Sequence, residues 1–350
     1  MRKNTVFSRA PLRISFGGGG SEIPPYVDQY GGAVFSSTIS MFATTCISIG
    51  KTSDLLAVHS QESEVSHFSK TRNLAIEDIL ELPKENRIAV ACTWYIENSL
   101  KIELPHNLTI WTSSDAPQGS GLGASSVMTV SILKAFDELL SLHLTQTQLA
   151  KTAFDIERNI LNLSGGLQDQ YAAAYGGLNY IEFDKNRTAS VMPVDLIPER
   201  KAQLESSLLL IYTGTSRESG EIIEQQQESM KSRPEEIIDD LHVQKEYAKK
   251  MLRAVREGNI GKFGALMGES WQIKKTFAPN ISNPKIDDLY ERAINLGALG
   301  GKISGAGGGG FLLLVVPPNK KYTIFRQMQD SEVIQYPLSL EDNGAISWHS

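Results

Sequence analysis

The sequence is poor in the residues and patterns that mark secreted, zinc-binding and membrane proteins. Its 350 residues include two cysteines, Cys46 and Cys92, without a CxxC pair, so no disulfide framework is expected. Six histidines are scattered without HxxxH or HExxH spacing, which argues against a zinc site. The first residues form no apolar signal region, and no apolar run is long enough to span a membrane. The expected compartment is therefore the cytoplasm, with no membrane partner.

Two common signatures of phosphate and acyl chemistry are also missing. The string nearest to a Walker A motif, residues 297–303, has the wrong spacing and carries Ile303 where a Ser or Thr is required. The GxSxG nucleophile elbow does not occur. The chain is therefore neither an ordinary P-loop protein nor an ordinary α/β-hydrolase.

Bulk composition limits the class of protein further. The chain is 41% hydrophobic and 21% charged, as in an ordinary globular protein, and its length favours two domains. The net charge of −6 argues against a broad nucleic-acid-binding surface. A polyphosphate ligand would depend on a local pocket of backbone amides and a few cations.

Glycine, in contrast, is concentrated in three distant segments. Segment one is Ser15–Glu22, segment two is Ala116–Ser126 and segment three is Lys302–Phe311. Because glycine costs backbone entropy and adds no packing, such clusters need a reason. Close approach of backbone N–H groups to an anion is a reason that fits all three. The sequence therefore predicts a site built around a polyphosphate.

Strand and helix patterns are mixed without a steady βαβ alternation, which favours an α+β fold. Extended segments are predicted at 6–16, 33–49, 108–114, 178–183, 189–194, 207–214 and 311–316. Helices are predicted at 124–142, 145–160, 220–229, 234–257, 260–277 and from 284. Thr145 with Gln148 forms a capping-box pattern that starts one helix. A polar stretch near Pro198 suggests a boundary between domains at 1–198 and 199–350.

Segment two admits a dinucleotide-binding alternative. Residues 119–124 fit G-x-G-x-x-G/A, but the acidic candidates Asp137 and Glu138 lie inside a predicted helix rather than at the end of a strand. Residues 305–310 fit too, but a strand follows where a helix should. These mismatches disfavour an oxidoreductase.

Segment two instead predicts a wide loop between a strand and a helix whose first N–H groups are unpaired. Ser125 and Ser126 there are suited to phosphate or Mg²⁺, although they could simply cap the helix. Glu157 lies within the apolar stripe of the next helix, where a carboxylate needs a polar partner or a metal.

One further acid and several cations are candidates for the site. Asp169 opens a short helix after Gly165-Gly166, and Arg13 is the one charge in an apolar stretch, where it could face a carboxylate or phosphate. The alternatives are a helix-dipole contact for Asp169 and a surface position for Arg13. If the acceptor already carries a phosphate, the cations available to hold it are Arg217, Lys274, Lys275 and Lys302, unless these are solvated surface charges.

Together the three segments resemble the GHMP kinases, the superfamily of galactokinase, homoserine kinase, mevalonate kinase and phosphomevalonate kinase. The central P-x-x-x-G-L-x-S-S motif aligns with residues 117–125, with Ala124 at the first serine position. GGGSEIPPYVDQYGG, GGLQDQYAAAYGGLNYIEF, YTGTSRESGEII and ISNPKIDDLYERAINLGALGGKISGAGGGGF resemble its sugar-kinase branch, which includes heptose 7-phosphate kinases and the kinase part of fucokinases.

This resemblance implies a fold and a set of roles. It implies an N-terminal domain like ribosomal protein S5 domain 2, a ferredoxin-like C-terminal domain and an active site between them. Asp169 would be the catalytic base, Arg13 would keep it ionised, and Ser125 (or Ser126) and Glu157 would hold Mg²⁺. The implied ATP-binding residues are Pro117, Gly119, Ser120, Gly121, Leu122, Gly123, Ala124, Ser125 and Ser126. The implied substrate-binding residues are Gly19, Gly20, Ser21, Glu22, Arg217, Lys302, Gly305, Gly307 and Gly308.

The activity that the resemblance implies is ATP-dependent phosphorylation of the anomeric hydroxyl of a sugar. It favours D-glycero-D-manno-heptose 7-phosphate as acceptor, with fucose or another hexose as the second candidate. A catalytically silent sugar- and nucleotide-binding regulator on the same fold is the alternative from another class. A homodimer is left open.

Overall fold

A computed structural model describes residues 5–50, 56–61, 66–68, 74–105, 107–117, 119–215, 219–329 and 332–350. Strands and helices are mixed along this part of the chain, as expected for the predicted α+β class. No helix within the described ranges is both long and apolar enough to cross a bilayer.

The strands include the seven extended segments that the sequence predicts and several short ones that it does not. In chain order they are β1 (Thr5–Gly17), β2 (Gly32–Ile49), β3 (Leu56–Ser60), β4 (Ser66–Phe68), β5 (Leu108–Ser114), β6 (Leu178–Phe183), β7 (Ala189–Pro193), β8 (Leu208–Tyr212), β9 (Gly300–Ile303), β10 (Phe311–Val315), β11 (Ile334–Tyr336) and β12 (Ile346–His349).

The helices fall mostly where the apolar periodicity predicts them. They are α1 (Tyr26–Tyr30), α2 (Ile76–Glu81), α3 (Lys84–Asn98), α4 (Ala124–Leu140), α5 (Gln146–Asp155), α6 (Gln168–Tyr175), α7 (Pro198–Ser206), α8 (Ser219–Ser232), α9 (Pro234–Glu257), α10 (Ile260–Lys274), α11 (Pro284–Asn295) and α12 (Lys321–Met328). A π-helical turn, Ile156–Ile160, continues α5, and a 3₁₀ turn, Pro318–Lys320, precedes α12.

The predicted capping signals act as their chemistry suggests. Thr145 accepts from the Gln148 N–H while the Gln148 side chain accepts from the Thr145 N–H, so the capping box at α5 is confirmed. Asn283 caps α11 through the Ile286 N–H. Gly258 ends α9 in the left-handed conformation.

The larger sheet is organised around the long strand β2. Within the described residues its order is β12-β1-β2-β5-β3-β4, with β6 paired to β2 and β7 paired to β6. The first part of β2 pairs with β6 and its second part with β5, while β1 pairs along both. The register of β1 shifts between Pro11 and Arg13, so an irregularity adjoins the predicted functional arginine.

The C-terminal strand returns to this sheet. Strand β12 pairs antiparallel with the outer edge of β1, from Val6 opposite His349 to Arg9 opposite Ile346. The domain boundary at residue 198 stays a prediction. A division at that point would place residues 346–349 in the second domain, although these residues pair with β1 in the larger sheet. The polar stretch that suggested the boundary forms helix α7, with Pro198 at its first helical position.

A second, smaller sheet carries segment three. Its order is β11-β8-β10-β9, all antiparallel, with segment three connecting β9 to β10. Lys302 lies opposite Leu313 in this sheet. Helix α9 packs on β1 and β2, whereas α10 packs on β9, so the two helices join the sheets. This arrangement brings segments one, two and three to one cavity.

Candidate active site

A cavity of about 640 Å³ opens where the three glycine-rich segments meet. Strand β1 and segment one form one wall, segment two and the start of α4 form another, and the loop before α6 forms a third. Lys274 at the end of α10, Gly305 of segment three and residues of α3 and α8 also line the cavity.

Arg13 and Asp169, 156 residues apart in sequence, meet in this cavity. Arg13 Nε donates to Asp169 Oδ1 at 2.7 Å, and Arg13 Nη2 donates to Asp169 Oδ2 at 2.8 Å. Arg13 Nη1 also donates to the carbonyl of Gly121, at 2.5 Å. The arginine side chain is 6% exposed and the aspartate side chain 25% exposed. The bidentate pair therefore fixes the carboxylate while leaving part of it open to the cavity.

The backbone of segment two needs its glycines for close contacts. Gly123 has φ of 77°, and a Cβ there would lie 2.9 Å from Asp169 Oδ2. Gly121 has φ of 78°, and a Cβ there would lie 2.4 Å from the Ser304 carbonyl of segment three. Helix α4 begins directly after Gly123 without a side-chain cap. Its first N–H groups thus point toward the cavity with the positive end of the helix dipole.

Glu157 lies fully buried beneath the start of α4, in the π-helical turn that follows α5. Its Oε2 accepts from Ser126 Oγ at 2.8 Å and from Gln170 Nε2. Its Oε1 accepts from Thr129 Oγ1 at 3.2 Å and from Ser125 Oγ at 3.4 Å. Four uncharged donors thus satisfy most of this carboxylate. Ser126 is buried, whereas Ser125 is exposed at the cavity wall.

Further buried charges lie beside the Arg13–Asp169 pair. Glu22 Oε2 accepts from the Gly20 N–H at 2.7 Å, and burial raises the pKa of the Glu22 carboxyl. Lys274 Nζ donates to the Gly305 carbonyl, and burial lowers the pKa of Lys274 to about 8. Lys302 is 2% exposed, and burial, together with the charges of Lys274 and Arg13, lowers the pKa of Lys302.

Most of the predicted residues line one cavity. Those that do are Arg13, Gly19, Gly20, Glu22, Gly119, Ser120, Gly121, Gly123, Ala124, Ser125, Ser126, Glu157, Asp169, Lys274 and Gly305. The proximity of Asp169 and Arg13, on which the mechanistic expectation depends, is thus present in the structure.

Other predicted residues lie behind the lining. Pro117 and Leu122 support the loop through their carbonyls, which accept from the Ser120 and Arg13 N–H groups. Ser21 is fully buried, and its hydroxyl donates to the Gly18 carbonyl.

Three further candidates, Gly307, Gly308 and Lys275, are not among the residues that line the cavity. Gly307 and Gly308 pack against Ile281. Lys275 Nζ pairs with Asp287 Oδ1 at 3.3 Å. Its role as a phosphate anchor stays a prediction. Arg217 lies outside the described residues.

Several cavity residues were missed at the sequence level. Ser15 lines the cavity two residues after Arg13 on β1, and strand periodicity, which places alternate residues on one face, could have identified it. Gln168, Arg158 and Gln226 line the cavity as well. No local sequence signal distinguishes these three from ordinary polar residues on helices and loops.

Comparison with known proteins defines the class. The family model described as "GHMP kinases N terminal domain" matches residues 87–177, and the model described as "GHMP kinases C terminal" matches residues 251–333. The chain belongs to the GHMP kinase family and is a phosphotransferase. The predicted GHMP kinase fold and the resemblance to its sugar-kinase branch are confirmed.

Among individual proteins, the chain is similar to the D-glycero-alpha-D-manno-heptose 7-phosphate kinase of Campylobacter jejuni subsp. jejuni serotype O:2. The two are 32% identical over 346 residues, which cover 98% of this chain and 99% of that protein. A solved structure of a D-glycero-D-manno-heptose 1-phosphate kinase from Bacteroides thetaiotaomicron shares 33% identity and a TM-score of 0.81, covering 98% of both chains. A bifunctional fucokinase/GDP-fucose pyrophosphorylase of Arabidopsis thaliana is 25% identical over 85% of this chain and 28% of its own length.

Proposed function

We propose that this protein is an ATP-dependent sugar kinase that phosphorylates the anomeric hydroxyl of D-glycero-D-manno-heptose 7-phosphate to give the 1,7-bisphosphate. The observation that carries the proposal is the bidentate Arg13–Asp169 pair, which opens into a cavity beside the glycine-lined start of α4. A carboxylate that a cation holds in place beside an anion-binding helix start is suited to phosphoryl transfer to a hydroxyl group.

The residues around α4 fit a polyphosphate. Ser120 Oγ is buried and has no hydrogen-bond partner among the described residues, although Ser120 lines the cavity. Gln168 Nε2, also in the lining, is buried and unpaired in the same described part of the chain. Buried polar atoms without partners are costly, so they point to a ligand with oxygen atoms. The uncapped N–H groups of α4 supply further donors.

A divalent cation also fits the donor set. Glu157 and the exposed hydroxyl of Ser125 would hold Mg²⁺, whose remaining ligands would be phosphate oxygens and water. Within the described residues no group of three or more His, Cys, Asp and Glu side chains could hold a metal, which agrees with a cation held partly by its nucleotide. When bound, Mg²⁺ supplies charge neutralisation of the phosphate groups.

The chain's own residues divide the remaining work. Asp169 orients the acceptor hydroxyl and takes its proton as the hydroxyl oxygen bonds to the γ-phosphorus of ATP, whose bond to the bridging oxygen breaks so that ADP leaves. Arg13 holds the Asp169 carboxylate in one orientation through two hydrogen bonds. The first N–H groups of α4 stabilise the charge on the phosphoryl oxygens, while Gly121 and Gly305 keep segments two and three in backbone contact.

The heptose kinase relatives, which match the chain from end to end, support a heptose phosphate as acceptor. Fucose or another hexose is the second candidate, because the fucokinase relative also spans 85% of the chain. A silent binding regulator on this fold would keep the cavity but release no ADP.

A coupled ADP-release assay across a sugar panel tests the proposal. The panel contains D-glycero-D-manno-heptose 7-phosphate, the phosphate-free heptose, fucose, galactose and mannose. We expect the highest kcat/KM with heptose 7-phosphate, and a second phosphorus signal from an anomeric phosphate in the ³¹P spectrum of the product. Preference for fucose would select the second candidate, and ADP release with none of the sugars would favour the regulator.

A further inference from the structure

One corner of the cavity, at Gly19, joins two buried polar side chains. A Cβ placed on Gly19 would lie 3.7 Å from Ser15 Oγ and 4.0 Å from Lys274 Nζ, so both groups surround the space above this glycine. All three residues line the cavity, and Ser15 and Lys274 are only 3% and 5% exposed. We call Ser15, Gly19 and Lys274 the Gly19 corner.

Polar groups in the Gly19 corner can form more hydrogen bonds than the described residues supply. Ser15 Oγ has no partner within the part of the chain that the structure describes. Lys274 Nζ donates to the Gly305 carbonyl, and an ammonium group has three N–H donors. Because an unpaired buried donor costs free energy, the corner is built to receive an acceptor group from a ligand.

Charge in the same region points to an anionic ligand. The charges of Arg13, Lys274 and Lys302 face those of Glu22 and Asp169, so three cations stand against two carboxylates. Asp169 is already held by Arg13. Burial raises the pKa of Glu22 and lowers the pKa values of Lys274 and Lys302, so it opposes charge of either sign. An anion bound beside the two lysines would favour their charged forms.

Different elements form the Gly19 corner and the start of α4. Asp169 touches the start of α4 through Gly123, whereas the Gly19 corner is made by β1, segment one and α10. We place the acceptor with its reacting hydroxyl at Asp169 and another part of the molecule at the corner. The nucleotide phosphates would lie at the start of α4.

We propose that the Gly19 corner binds the phosphate group that the acceptor sugar already carries, so that Lys274 makes the enzyme specific for a sugar phosphate. This inference rests on the proposed function, and it deepens that function by assigning the group that recognises the acceptor's phosphate. Lys274 supplies the charge, Ser15 Oγ supplies a neutral donor, and glycine at position 19 leaves room for the phosphate oxygens.

The first experiment compares Lys274→Met with Lys262→Met, an exposed lysine on the same helix. The measurement is kcat/KM for heptose 7-phosphate and for the phosphate-free heptose. Loss of one charged hydrogen bond predicts that Lys274→Met lowers the ratio of kcat/KM for the phosphorylated sugar to kcat/KM for the free sugar by about 10- to 150-fold. Lys262→Met should resemble the wild type with both. Equal losses on the two sugars would reject Lys274 as a phosphate anchor.

A second variant leaves every charge in place. In Gly19→Ala the new methyl group makes ordinary contacts of 3.7 and 4.0 Å, so we expect the chain to fold, but the methyl fills the space between Ser15 and Lys274. KM for heptose 7-phosphate should rise while KM for ATP stays constant. An unchanged KM for heptose 7-phosphate would overturn the proposal.

Failure of the proposed function can be recognised separately. If the wild type phosphorylates no sugar in the panel, the kinase proposal fails, and binding of inorganic phosphate still tests the corner. Calorimetric titration with phosphate should then show binding by the wild type and by Lys262→Met, and at least tenfold weaker binding by Lys274→Met. Equal phosphate affinity in all three proteins would refute the anion site itself.

Discussion

Asp169 and Glu157 are carboxylates in the wall of the same cavity, but the chain surrounds them differently. Asp169 is 25% exposed on its side chain and is gripped through both oxygens by one guanidinium group. Glu157 is fully buried and accepts hydrogen bonds from Ser126, Thr129, Gln170 and, at a longer distance, Ser125. The nearest cation to Glu157 in the described residues is Arg158, at 3.7 Å.

The different hydrogen-bond partners of Asp169 and Glu157 suit the two carboxylates to different roles in one cavity. A carboxylate offers about four acceptor positions, and Arg13 occupies two on Asp169, which leaves the others for a reacting hydroxyl. Glu157 is oriented mainly by neutral donors, with the Arg158 guanidinium group 3.7 Å from its Oε2. Carboxylate and hydroxyl oxygens held in this way suit a metal cation, whereas Asp169, fixed by Arg13 and partly open to the cavity, suits contact with a reacting hydroxyl.

The largest effect is expected from Asp169→Asn. This change keeps the shape of the side chain but removes its ability to accept a proton, so kcat should fall by about 10²- to 10⁴-fold. Thermal unfolding serves as the control for folding, because Arg13 loses its charged partner. Turnover at the wild-type rate would show that Asp169 is not the proton acceptor. The proposed difference in role between Asp169 and Glu157 would then be wrong.

Glu157→Gln tests the other side of the comparison. We expect the Mg²⁺ concentration that gives half-maximal activity to rise by about 10- to 100-fold, as happens when groups that hold or orient a metal are changed. The measurement is a Mg²⁺ titration of activity at saturating sugar, with Asp169→Asn measured in parallel. A lower kcat with an unshifted Mg²⁺ midpoint would show that Glu157 has a structural role only.

Lys274 has a pKa close to neutral pH, so its charge can be tested by changing the pH. Burial lowers the pKa of Lys274 to about 8, so the side chain is charged below that pH and neutral above it. Since kcat/KM reports ionisations of the free enzyme, kcat/KM for heptose 7-phosphate should halve near pH 8 and fall about tenfold per unit above it.

Several charged groups face Lys274 and shape this titration, namely Glu22, Asp169, Arg13 and Lys302. Lys274→Met should therefore be the control that lacks the fall above pH 8, while retaining whatever pH dependence the other groups cause. The same fall in Lys274→Met would assign the ionisation to another group.

Local signals predicted much of this structure, whereas contacts distant in sequence escaped prediction. The capping box at Thr145 and the N-cap at Asn283 join residues that are three positions apart, so a short stretch of sequence is enough to predict them. Resemblance to a family, rather than any local pattern, brought Arg13 and Asp169 together in the prediction. The pairing of β12 with β1 and the burial of Lys274 depend on tertiary packing that no window of residues contains.

The smallest effects are expected at Ser125 and Ser126, because the sequence did not decide which of these two serines would hold Mg²⁺. Ser126 is buried between Glu157 and Gln170, so Ser126→Ala removes a hydrogen bond to a buried carboxylate and should cost about 1.5–3 kcal/mol of stability. Ser125 is exposed at the cavity and makes only a 3.4 Å contact with Glu157 Oε1. Ser125→Ala should therefore leave the melting temperature almost unchanged and raise the Mg²⁺ requirement by about 2- to 10-fold. Denaturant unfolding and Mg²⁺ titration of both variants check this, and a larger Mg²⁺ shift in Ser126→Ala would make the buried serine the metal ligand.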